Sequence, residues 1–239
     1  MSKKETLIYL AGCLDCDGYI SIKKSTYAMR VRKDATNPVY SEKIGFVQVK
    51  PEIPNLFKEL FGGMVRACKS RHENRKDIYR WQCTDNQAAE AVKALYPYLR
   101  IKKQQATSLL ELRESKNPTY RQHSFWFQRE NPDWTSGELL TASEVRSLLG
   151  WSKVYVCTAL HNGTLVGVDG KGGPKEVARF PKQLVEMLAE HRTKRGRLSR
   201  PRQLIKWRES LFDRVKQLNM LGKHGTSVNH RTGYHGCAV

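Results

Sequence analysis

The sequence predicts an α+β protein in two parts, and three observations predict it. A helical stripe at the start gives way abruptly to strand alternation. That alternation recurs in pairs separated by further helical stripes, the pattern of an antiparallel sheet with helices on one face. Beyond residue 138, short capped helices replace most of the strands.

Leu7, Leu10 and Leu14, with Ile8 and Ala11 beside them, recur at the three-four spacing of an amphipathic helix. Gly18 is placed to stop it. Ile20 and Ile22 then alternate with Ser21 and Lys23 at strand period. Tyr19–Ser25 and Lys43–Val49 read as strands, with a basic, polar stretch between them and a turn signal at Asn37-Pro38. Pro51–Phe61 reads as a helix from Ile53, Leu56, Phe57 and Leu60, ended by Gly62-Gly63. Met64–Ser70 and Ile78–Thr84 form a second strand pair across the polar loop Arg71–Asp77. Asn86–Leu95 and Lys102–Leu112 are helices separated by Pro97. The order is αββαββα followed by one more helix, over residues 1–114.

Residues 115–138, with Phe125-Trp126-Phe127 and Asn131-Pro132-Asp133, read as a linker carrying packed aromatics. Residues 139–192 read as a small, mostly helical domain. Thr141 and Glu144 make a capping box before a helix stopped by Gly150. Ser152 caps the next helix, Lys153–His161, and a Gly-containing turn between two short helices is a helix-turn-helix. Leu165–Val168 and Glu176–Phe180 are the arms of an expected hairpin, and Pro181–His191 is a helix. In residues 193–239 a very basic arm leads to a stripe of Leu204, Trp207, Leu211, Val215 and Leu218. That stripe either packs on the protein or pairs between subunits. Disorder is expected from residue 222.

Forty-two Lys and Arg against 23 Asp and Glu leave a net charge of +19. Such an excess attracts polyanions, nucleic acid before an acidic membrane surface. No apolar run approaches the roughly 20 residues of a membrane span, and no secretory leader pattern is present. The six cysteines have no disulfide-framework spacing, so an intracellular, reducing compartment is expected. Cys13 and Cys16 read as small packing residues. His224, His230, His235 and Cys237 read as part of a solvated tail.

The chemistry concentrates at the end of the first helix. Asp17 sits where the helix dipole is negative, a mismatch of roughly 0.3–1 kcal/mol. Asp15 compounds it, and Gly12 costs about 1 kcal/mol relative to Ala. Three locally unfavourable choices in one short stretch point to a functional site. Ala11, Gly12, Cys13 and Cys16 would let two copies of the helix approach closely. Their two Asp17 carboxylates would then repel unless cations lie between them. Paired carboxylates holding a divalent metal are a means of cutting phosphodiesters.

Leu10-Ala11-Gly12, Asp15 and Asp17-Gly18, with Cys13, Leu14 and Cys16 at variable positions, resemble the LAGLIDADG motif of homing endonucleases. The resemblance extends over residues 5–114 and includes Tyr98–Ala106. It implies a motif helix at a dimer interface and Mg²⁺ (or Mn²⁺) bound by Asp17 with the Cys16 carbonyl. It implies Lys102 as the active-site lysine and Lys50 as a residue ordering water, with Gln48 the alternative if the register shifts by two. One motif per chain implies a homodimer on a nearly palindromic DNA target. The sheet face away from the helices would then lie along the major groove. Ser21, Lys23, Ser25, Arg30, Arg32, Arg66, Lys69, Arg71 and Arg80 are its candidate contacts. Residues 139–192 resemble the winged helix-turn-helix of excisionase-like and MerR-like proteins. That resemblance places Ser152, Lys153, Tyr155 and Thr158 toward a groove, while Val154, Val156 and Leu160 are core candidates. Together these imply site-specific double-strand cleavage by the product of an intron, an intein or a free-standing locus in a bacterial or phage-infected cytoplasm or an organelle. The rival readings are a non-cleaving transcription regulator on the same fold and an intron maturase that binds RNA.

Overall fold

The computed structural model describes residues 2–27, 37–69, 76–168, 178–192 and 198–224, excluding the side chains of 222–224. Arg30, Arg32 and Arg71, the tip of the expected hairpin, most of the basic arm and the tail from residue 225 lie outside the described residues. Two compact units are present, residues 1–112 with 210–239, and residues 113–209.

The first unit is α+β with an antiparallel sheet. It runs α1 (Lys3–Asp17), β1 (Gly18–Ser25), β2 (Val39–Gln48), α2 (Glu52–Phe61), β3 (Met64–Cys68), β4 (Ile78–Thr84), α3 (Asp85–Leu95) and α4 (Lys103–Glu114). The strand order is β1-β2-β4-β3, with every neighbouring pair antiparallel. Ser2 and Glu5 start α1 with a reciprocal capping box, which satisfies two N-terminal donors at once. One face of the sheet contributes Ile20, Ile44, Phe46, Trp81 and Cys83 to the core, against Leu10 and Leu14 of α1, Phe57 of α2 and Val92 and Leu95 of α3. Phe57 stacks on Trp81 with ring centroids 4.5 Å apart, and the indole donates to the Gly62 carbonyl at 2.8 Å. Burial pushes the Cys83 thiol up to about 12, which makes it a packing group.

A long final helix, α9 (Arg202–His224), belongs to the first unit from Ser210 onward. Leu211 and Val215 are buried there, Phe212 meets the Tyr40 ring at 6.2 Å, and Asn219 donates to the Ile20 carbonyl at 3.0 Å. Of the two destinations open in the sequence for this stripe, the structure takes packing on the protein.

The second unit contains α5 (His123–Glu130), β5 (Leu139–Thr141), α6 (Ala142–Leu149), α7 (Lys153–His161), β6 (Arg179–Pro181), α8 (Lys182–Glu190) and the first half of α9. Its core gathers Phe127, Val145, Leu149, Trp151, Val156, Phe180, Leu184 and Leu188. Two sequence expectations are corrected here. The stretch 115–138 is not a plain linker, because its aromatics fold it into α5 and bury Trp126 and Phe127. Tyr120 stacks on Trp207 at 5.4 Å within the same unit. The strand at Arg179–Pro181 pairs with Leu139–Thr141, and Leu165–Val168 forms no strand. Among the described residues, the Val168 N–H donates to the Arg179 carbonyl and so joins the two expected hairpin arms.

Candidate nucleic-acid interface and active centre

The end of α1 and the start of α4 brace one another. The buried Asp15 carboxylate accepts backbone N–H bonds from Arg100 at 2.8 Å, Ile101 at 3.2 Å and Lys102 at 2.9 Å. These amides lead into α4, where a helix N-terminus needs external acceptors. In return the Lys102 ammonium donates to the Leu14 carbonyl at 2.9 Å and to the Asp15 carbonyl, in the last turn of α1. Burial lowers the Lys102 ammonium below the usual lysine range, while Asp15, Cys16 and Asp17 pull it back up. Asp15 is therefore no misfit: it serves another helix's positive end. Asp15→Asn turns an NH₂ group toward N–H donors and should destabilise the first unit by about 2–4 kcal/mol. A thermal melt should fall by roughly 5–15 °C; an unchanged melt would mean the brace adds nothing.

Gly18 ends α1 with extended backbone. Its role is close approach: a β-carbon there would stand 2.3 Å from the Leu14 side chain and 2.8 Å from its carbonyl oxygen. The chain can therefore turn tightly from Asp17 into β1. Asp17 and Cys16 are exposed. They line an open depression of about 480 Å³ with Ile8, Tyr9, Gly12, Cys13, Phe46, Gln48 and Ile53. Ile8 is 48% exposed and Tyr9 45%, and a β-carbon added at Gly12 would meet open space. Gln48 shares the depression with Asp17; Lys50 lies exposed in the bend after β2, outside it. The Gln48 amide oxygen is shielded from solvent without a hydrogen-bond partner. A carboxylate and an unsatisfied amide oxygen are hard donors of the kind Mg²⁺ takes. Among the described residues no three His, Cys, Asp or Glu side chains gather around one point, and the carboxylate that lines this depression is that of Asp17.

The register of the sheet defines its other face. Tyr19, Ser21, Lys23 and Ser25 of β1 stand there with Ser41, Lys43, Gly45 and Val47 of β2, Ile78, Arg80, Gln82 and Thr84 of β4, and Met64, Arg66 and Cys68 of β3. None of these positions is acidic. Arg66 lies directly opposite Arg80, an arrangement that costs stability in an isolated sheet and suits a polyanion. Of the candidate contacts, Ser21, Lys23, Ser25, Arg66 and Arg80 share this face, and Lys69 is exposed just beyond β3. Arg66, Arg80, Gln82 and Thr84 also line a cavity of about 600 Å³. Burial holds the Lys43 ammonium below the usual lysine range, reinforced by Lys23 and Arg80. Charging Lys43 thus opposes folding, fully so below its depressed pKa, and the penalty is relieved as pH rises toward the unfolded value. Lys43→Met should raise the melting temperature at neutral pH while weakening duplex binding and lowering its salt slope by about one unit. Equal shifts of the same sign in both measurements would refute the trade.

In the second unit, Ser152 accepts the Tyr155 N–H at 3.2 Å and caps α7. Ser152, Lys153, Tyr155 and Thr158 are all exposed on it. Tyr155 meets the buried Trp151 edge-on at 4.7 Å. Val156 is buried and Leu160 partly so, but Val154, expected in the core, is 75% exposed. Val156 and Ala159 suffice for the inner face of this helix, which turns Val154 outward.

Sequence reasoning missed Tyr19, Lys43, Gly45 and Gln82. The period-two pattern holds the signal for Tyr19 and Gln82, which share parity with Ser21 and Arg80, whereas Lys43 and Gly45 have no named neighbour of their parity in their strand and join the face only through the cross-strand register. No protein-family model matches the chain, and no curated protein does. Solved structures similar to it include homing endonucleases. I-CvuI in complex with its target is 20% identical, covering 68% of this chain and 98% of that one, with a TM-score of 0.40. The archaeal intron-encoded I-Vdi141I complexed with DNA is 12% identical over 92% and 99% of the two chains, at 0.39. The LAGLIDADG homing endonuclease I-SmaMI bound to cleaved DNA is 11% identical over 92% and 93%, at 0.33.

Proposed function

We propose that the chain is a site-specific, metal-dependent DNA endonuclease of the LAGLIDADG homing type that works as a homodimer. One observation carries the reading. An exposed, small-residue face of α1 ends at an exposed carboxylate, Asp17, from which the chain leads directly into a sheet with one face that is basic and free of acids at the positions named. Two copies joined along Ile8, Tyr9, Gly12, Cys13 and Cys16 would bury this face and bring two Asp17 side chains together. Asp17 and the Cys16 carbonyl would hold Mg²⁺, which when bound acidifies water and stabilises charge on the phosphate, and Gln48, which shares the depression with Asp17, would order that water. Lys102 holds the last turn of α1, and so Asp17, in place, and adds positive charge where the phosphate accumulates negative charge. Lys50 is the second candidate for ordering water. The sheet positions the duplex through Ser21, Lys23, Ser25, Arg66, Lys69 and Arg80, with Arg30, Arg32 and Arg71 as further candidates. The exposed face of α7, through Ser152, Lys153, Tyr155 and Thr158, forms a second, helix-turn-helix-like contact. A two-fold dimer expects a nearly palindromic target. Purified protein with Mg²⁺ should linearise a plasmid carrying its insertion locus, and a chelator should stop it. Tight binding with no cleavage in Mg²⁺ or Mn²⁺ would favour a regulator, and preference for the flanking intron RNA a maturase.

A further inference from the structure

We propose that Tyr19 fixes Gln82 in the orientation that reads a guanine in the major groove of the bound duplex. This rests on the DNA-facing role proposed for the sheet. Tyr19, Gly45 and Gln82 sit side by side across β1, β2 and β4. The Tyr19 ring lies so close over Gly45 that a β-carbon there would stand 2.4 Å from its hydroxyl oxygen. Glycine is thus what lets the ring lie flat across the middle strand. From that seat the Tyr19 hydroxyl donates to Gln82 Oε1 at 3.2 Å. The Lys43 ammonium stands 5.5 Å from the ring centroid.

A free glutamine amide offers one acceptor and one donor, the pair that matches adenine N7 and N6. Here Tyr19 occupies one of the two acceptor positions of Oε1 and holds the amide in a fixed orientation, in which the NH₂ group is the part offered to the ligand. Lys43 and Arg80, on the same face, are donors only. A cluster dominated by the donors of Gln82, Lys43 and Arg80 best matches the one base edge that presents two neighbouring acceptors, guanine O6 and N7. Gln82 and Lys43 would touch the base, and Tyr19 is a positioning residue that acts through Gln82.

The test uses the full chain with Ca²⁺ in place of Mg²⁺, so that the duplex stays intact. Bound duplexes are enriched from a random library, and each guanine of the winning sequence is replaced in turn by 7-deazaguanine, which lacks N7. The expected result is one guanine per half-site whose replacement weakens binding about tenfold. Tyr19→Phe keeps the ring over Gly45 but frees Gln82. It should reduce the preference for guanine over adenine at that position to within about threefold, with the melting temperature unchanged. Gln82→Ala should lose the preference as well. Enrichment of a sequence with no N7-dependent guanine, or undiminished discrimination in Tyr19→Phe, overturns the inference alone. Failure to enrich any sequence overturns the site-specific reading and this inference with it.

Discussion

Asp17→Asn should bind DNA as the unaltered protein does and cut it at least about a thousandfold more slowly. The side chain is exposed at the last residue of α1, so an isosteric amide disturbs no core packing. Removing a negative charge from the negative end of a helix is, if anything, mildly stabilising, by roughly 0.3–1 kcal/mol. The whole loss should therefore fall on the chemical step, where a carboxylate that holds a divalent cation is worth several kcal/mol of barrier and each 1.36 kcal/mol is about tenfold. Single-turnover linearisation in Mg²⁺, alongside a mobility-shift titration and a thermal melt, separates the three quantities. Asp15→Asn, two residues earlier, should show the reverse signature, a lowered melt whose effect on cutting follows loss of fold. Unchanged cutting by Asp17→Asn would remove the metal-binding role assigned to that carboxylate.

The contrast between these neighbouring aspartates shows what a one-dimensional reading can and cannot reach. Strand alternation and helical stripes are local, so the mixed α+β character and antiparallel sheet of the first unit were legible from Leu10, Ile20, Ile22 and Phe57 alone. Both aspartates looked equally misplaced, because the partner amides of Asp15 lie at Arg100–Lys102, far along the chain. Lys102 was singled out through a motif resemblance. Its contact with the carbonyls of α1 adds a structural task that no spacing rule could supply. Lys43 and Gln82 went unnoticed since their significance is a matter of register: alone each is one more polar strand residue. The stretch 115–138 was misread because Pro118, Asn131 and Pro132 look like linker punctuation. Its one α-helix is only eight residues long, has no side-chain cap and is held by tertiary aromatic packing.

The C-terminal helix offers the sharpest test of how the first unit holds together. Ending the chain after Glu209, or replacing Leu211 and Val215 together by Ala, should strongly destabilise that unit. Both residues are essentially fully buried, and the paired truncation should cost about 3–6 kcal/mol in lost transfer energy and cavity. That is a large share of the roughly 5–15 kcal/mol that holds a domain folded. The damage should be local in a telling way. β1 is an edge strand of the sheet, and Asn219 occupies its Ile20 carbonyl while Phe212 and Val215 border Ile22. An uncovered edge loses apolar contacts and offers open backbone groups to other chains. In the Leu211→Ala/Val215→Ala protein, amide exchange across Ile20–Ile22 should accelerate well before exchange in β4, and the melt should drop by roughly 10–20 °C. The shortened chain should aggregate on mild warming. If the double variant melts within about 2 °C of the unaltered protein, the helix rides on the first unit without supporting it, and β1 must draw its stability from α1 and β2 alone.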